Sequence, residues 1–171
     1  KDSIRQIITT EYKILVEHLY SENDSVKYYI SKLEALNCKL DDKNVWFNIQ
    51  LVKAAVLSRS KDKNGLRELY AKMKNEFENV PNEKHAFFFH SLGMYYYRVD
   101  DLDSSRHYFN KVVNNLDTTW ADYYNLSVSS YNNLATISKL QYDYSASFSC
   151  LEKYEIFLDK HSENDSIQKK N

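Results

Sequence analysis

The chain has 171 residues, a net charge of −1 and 43% apolar residues, enough to bury a core in one domain or one elongated array. Gly occurs twice and Pro once, which argues against all-β folds and phosphate-cradling α/β folds, because both depend on Gly- and Pro-rich turns. There is no sustained basic face of the kind that binds nucleic acid, and no apolar run nears the roughly 20 residues that span a bilayer.

Apolar spacing is helical almost throughout, and the breaks fall at capping residues. The pattern predicts helices at 3–20, 25–37, 43–60, 64–79, 83–99, 103–116, 119–140 and 144–160. Asp24, Asp42, Asp62, Asn82, Asp101 or Asp103, Asp117 and Asp143 stand where an N-cap belongs. Each can accept from an unpaired first-turn N–H, and the carboxylates also meet the positive end of the helix dipole. Short connectors pair these helices into four antiparallel hairpins, with Pro81 between the second and the third. The 15 tyrosines suit a thin, two-layer protein, because a Tyr ring packs while its hydroxyl stays wet.

The hairpins repeat. In their second helices a large apolar anchor falls at Tyr29, Tyr70, Phe109 and Leu151, a spacing of 41, 39 and 42. A near-constant period of this size predicts a solenoid in which each hairpin buries its face on the next. The stretch from Phe89 through Leu92, Gly93 and Tyr96 to Ser105, Phe109 and Val112 places small residues where two helices must approach and aromatics around them. It resembles a tetratricopeptide (TPR) unit. Tyr131, Leu134, Ala135, Ser147, Leu151 and Tyr154 repeat the pattern. Residues 1–80 match by period alone, with Lys13, and Lys53 or Ala54, near the small-residue position. The resemblance implies an all-α, right-handed superhelical stack of about four antiparallel hairpins. These make a single TPR-like domain over 1–160, with hairpins at 3–37, 43–79, 83–116 and 119–160. Residues 161–171 read as a polar tail or the start of a truncated further helix, since Ser21-Glu-Asn-Asp-Ser25 recurs at 162–166.

The period exceeds the 34 residues of an ordinary TPR. Long, Tyr- and Asn-rich, proline-poor repeats are similar to the peptide-pheromone receptors of low-GC Gram-positive bacteria, the Rgg/PlcR/Rap (RRNPP) group. That resemblance implies a cytoplasmic sensor domain of a quorum-sensing transcriptional regulator, with its DNA-binding unit outside these residues. The start at Lys1-Asp2-Ser3, with no Met and no signal-peptide core, reads as an excised fragment. A scaffold for protein–protein interaction without a signalling peptide is the alternative.

No constellation for catalysis or cofactor binding appears. His85 and His90 lie five apart, about 500° of helical turn and off one face. The run Asp100-Asp101-Leu102-Asp103 lacks the Gly and terminal Glu of a calcium loop. Cys38 and Cys150 read as small buried hydrophobes in a reducing compartment. The Ser pairs at 104–105 and 129–130 sit in no nucleophile elbow, and Gly65 and Gly93 are too far apart for a phosphate loop. The expectation is therefore no enzyme, no cofactor, no metal, no bound nucleic acid and no membrane.

In TPR-like arrays the first helices of the hairpins line a concave groove, so their unpacked residues become candidates for contacting a short peptide or extended protein segment. These are His90, Ser91, Met94, Tyr97 and Arg98 in the third hairpin, and Asn132, Asn133, Thr136 and Lys139 in the fourth. Asn48, Lys53 and Arg59 are the corresponding set in the second. Asn side chains both donate and accept and so can clamp extended backbone, while Arg98 and Lys139 suit a carboxylate. The plainer reading is a polar stripe that is simply solvated. Apolar faces left open at the ends of the array would let two copies pair.

Overall fold

The computed structural model describes residues 2–18, 23–60, 62–76, 82–120 and 122–168, with all side chains in them except those at 16, 18, 23–24, 58–59 and 161–168. These residues form eight α-helices and no strand. They are α1 Asp2–His18, α2 Asn23–Leu40, α3 Lys43–Arg59, α4 Lys63–Asn75, α5 Asn82–Arg98, α6 Leu102–Val113, α7 Tyr123–Leu140 and α8 Tyr144–Gln168. The chain is all-α, and it divides into two compact units, 1–81 and 82–171.

In the first unit α1–α4 pack in sequence. Its core is Ile8 and Leu15 from α1, Val26, Ile30, Leu33 and Leu40 from α2, and Ile49 and Val52 from α3, with the predicted anchor Tyr29 packed against them. The turn between α2 and α3 places Asp41 at φ 54°, while Asp42 accepts from the backbone N–H groups of Asn44 and Val45. Asn37 holds this turn from behind, donating to the Asp42 carbonyl (3.1 Å) and accepting from the Asp42 N–H (3.3 Å).

The second unit consists of two hairpins, α5–α6 and α7–α8, built alike and 42 residues apart. Asp101 and Asp143 accept from the N–H groups of Ser104 (3.0 Å) and Ala146 (3.1 Å). Asp100 and Tyr142 just before them take the left-handed conformation, φ 64° and 61°. The Ser105 hydroxyl donates to the Gly93 carbonyl (2.8 Å), and that of Ser147 to the Ala135 carbonyl (3.0 Å). Part of this signature recurs in the first unit. Asp62 accepts from the Gly65 N–H (2.9 Å) and donates its own N–H to the Leu57 carbonyl (3.1 Å), as Asp101 does to Tyr96 (3.0 Å). Each of the anchors Tyr70, Phe109 and Leu151 stands eight residues past its capping aspartate. Counting back from Asp62 puts Ala54, 2% exposed, at the small-residue position and leaves Lys53 beside it.

The ends of α2, α4 and α6 fall at Leu40, Asn75 and Val113, where 37, 79 and 116 were expected, and the start of α7 and the end of α8 differ as well. Asp117 does not start α7. Its carboxylate accepts from both the N–H and the hydroxyl of Thr119 (2.9 and 2.7 Å) and its carbonyl accepts from the Trp120 N–H, closing a separate turn. Asp122 is the N-cap instead, without a side-chain cap bond. At the other end α8 runs on without a break to Gln168, where a separate tail or a new helix was expected after 160.

Candidate functional site

In the second unit α6 packs against both α5 and α7, and α5 touches α7 directly at a few positions. His90 on α5 meets Ser129 on α7, with imidazole Nε2 and hydroxyl oxygen 2.7 Å apart, and its ring stands edge-on to Phe109 at 5.3 Å. Met94 and Tyr97 pack partly buried against the cluster of Phe109, Leu134 and Ile137. These three groove candidates are thus spent on the internal contacts of the unit. Burial pushes the His90 pKa down to about 4, so at neutral pH it is an uncharged hydrogen-bonding partner.

The polar residues of α7 divide by direction. A helix turns about 100° per residue, so residues seven apart return to one face. Asn125, Asn132 and Lys139 form such an exposed row, with Thr136 next to it. The Thr136 hydroxyl donates back to the Asn132 carbonyl (3.0 Å) and the Asn133 amide to the Ser129 carbonyl (2.7 Å). The Asn132 side chain is exposed and bonds none of the described residues. Arg98, at the end of α5, is exposed.

In the first unit Asn48 is half-buried on α3, and Lys53 is held by Glu34 of α2 at 2.8 Å. The Arg59 side chain lies outside the described residues.

Sequence reasoning missed a cavity of about 700 Å3 where the start of α5 meets the end of α6 and the turn after it. Asn82, His85 and Phe89 line it from α5, Lys111 and Asn115 from α6 and its end, and Asp117 and Trp120 from the turn. The Lys111 ammonium lies 5.0 Å from the Phe89 ring centre and 5.5 Å from that of Tyr108. Tyr108 in turn stacks on Tyr96 at 5.4 Å. Its residues come from two helices and a turn, and no periodicity within one segment could have gathered them.

Burial pushes the Cys150 thiol up, which keeps it protonated at neutral pH. Among the described residues no group of three His, Cys, Asp or Glu side chains could hold a metal ion, and no helix is long and apolar enough to cross a membrane. Comparison with protein families, curated proteins and solved structures gives no match to this chain.

Proposed function

We propose that the chain is a non-catalytic, TPR-like binding module that holds a short peptide or extended protein segment along the exposed polar row of α7. The observation that carries this reading is the contrast on α7. Asn133 and Thr136 satisfy their own helix, whereas the Asn132 amide and the Lys139 ammonium stand exposed on one face. An extended segment presents unpaired N–H and C=O groups, and a primary amide can satisfy one of each. Lys139 in the row favours a segment that carries a carboxylate. The resemblance of the repeats to peptide-pheromone receptors supports a signalling peptide as the ligand and regulation of transcription as the output.

The test is a selection of eight-residue peptides on the whole chain, followed by titration of the recovered peptides. Binding should fall by about fivefold or more in Asn132→Ala and in Lys139→Ala, in the range of single interface truncations, with an unchanged melting temperature. Recovered peptides that ignore both substitutions would remove the ligand from this face.

A further inference from the structure

The second unit carries a face whose occupant can be read from its own repeat. On α6, the outer row of Leu102, Phe109 and Val113 is packed against Leu134 and Ile137 of α7, and Phe109 is fully buried. The two helices run antiparallel. Gln141 at the end of α7 donates to Asp103 at the start of α6 (2.7 Å), and Leu126 near the start of α7 meets Val112 near the end of α6.

Adding 42 residues moves this row onto α8 as Tyr144, Leu151 and Glu155, with Phe148 in the place of Arg106. The inner face of α8 is already engaged with α7, through the bond from Ser147 to Ala135 and the stacking of Phe157 on Tyr131. The outer row stays open: Tyr144 is 56% exposed, Phe148 69%, Leu151 38% and Leu158 43%. A helix built to face water carries polar residues there. Here Phe148 replaces an arginine, while the exposed Glu155 stands where the covered row has Val113, and Leu158 one turn further on continues the apolar row.

We propose that the outer face of α8 docks an amphipathic α-helix running antiparallel to it and carrying the apolar row of α7. That row has aliphatic residues at the positions of Leu126, Leu134 and Ile137 and a small residue at that of Ser130. The ligand is a folded helix, and the surface is a different one from the polar row of α7, so the two assignments stand or fall separately. The α6–α7 contact supplies the template: a large side chain at position 109 or 151 is covered by aliphatics one turn apart on the helix opposite.

The probe is a fluorescent peptide of residues 122–141, held helical by a lactam between positions 132 and 136 on the side away from the row. It is titrated into the whole chain. Saturable binding is expected, and Phe148→Glu or Leu158→Glu should each weaken it by about tenfold or more, as for a central contact. Neither substitution should move the melting temperature, since both side chains are exposed. The same peptide with Leu134→Asp should not bind. Binding unaffected by both α8 substitutions, or its absence up to ~1 mM, the limit of weak association, would overturn the assignment. So would a dimer of the chain that Phe148→Glu breaks and the peptide does not compete with, since the face would then belong to a second copy.

Discussion

Ser105 donates its hydroxyl to the carbonyl of Gly93 across 2.8 Å, a buried bond that ties α6 to α5. Gly93 also leaves space for the Phe109 ring: a Cβ there would stand 2.9–3.0 Å from it. The next hairpin makes the same bond from Ser147 to a residue that does carry a Cβ, Ala135. The identical bond in two non-identical settings shows that the hairpin geometry repeats while its packing is tuned locally.

Removing the hydroxyl tests that repeat. Ser105 is fully buried and Ser147 is 7% exposed, so neither site admits water freely to replace the bond. Ser105→Ala and Ser147→Ala should each lower stability by about 1 kcal/mol, the usual net worth of one such hydrogen bond. Urea denaturation of both variants would check this. A loss in one hairpin only would show that the two bonds are not equivalent.

Gly93→Ala is expected to destabilise although alanine is the better helix former. The substitution gains about 1 kcal/mol of helix propensity, but forcing the Phe109 ring aside in a filled core costs typically 1–3 kcal/mol. Phe109 has no exposed side to move toward, being enclosed by Leu134, Ile137, Met94 and Tyr97. The predicted net loss is about 1 kcal/mol, read from the thermal midpoint, together with a shift of the Phe109 ring resonances. A gain in stability would mean that the ring has slack that the structure does not show.

Helix content and most helix starts were legible because they depend on signals within one segment, whereas several helix ends were not. Asp42, Asp62, Asp101 and Asp143 each accept a first-turn N–H as their positions predicted. The anchors Tyr70, Phe109 and Leu151 could be aligned from spacing alone. What was hidden depends on other segments. Asp117 has the composition of an N-cap, yet Thr119 captures its carboxylate for a turn. His90 and Asn132 are both polar residues on first helices, but Ser129 across the helix pair claims one and no side chain among the described residues claims the other. Which of Lys53 and Ala54 faces inward became clear only from the Asp62 cap, which fixes the register.

His90 should give the fold an acid-sensitive step. Its folded pKa is about 4, below the ordinary value near 6.5, and burial is the cause. Between those values the unfolded chain binds the proton and the folded chain does not, so stability rises with pH. The contribution is fully present above about 6.5 and is lost as pH falls toward 4. It amounts to about 2 kcal/mol, at 1.36 kcal/mol per unit reduced for the partial exposure of the ring. Urea midpoints measured from pH 7 to pH 4 should fall for the native chain and fall less for His90→Gln, which can still bond Ser129. Parallel curves would place the acid sensitivity elsewhere.

Two neighbouring asparagines separate binding from folding most sharply. Asn133 donates to the Ser129 carbonyl (2.7 Å), and Ser129 is the residue that meets His90, so Asn133 belongs to the junction between α5 and α7. Asn133→Ala should lower stability by up to about 1 kcal/mol, the worth of one hydrogen bond, and leave peptide affinity within about twofold. Asn132, about 100° round the helix from Asn133, is exposed, and its side chain bonds none of the described residues. Its truncation should leave the melting temperature unchanged and cost the affinity. Calorimetric titration and thermal denaturation on the same two proteins decide the matter. If Asn132→Ala destabilises the fold, or Asn133→Ala removes binding, the polar row of α7 is not the surface that meets the ligand.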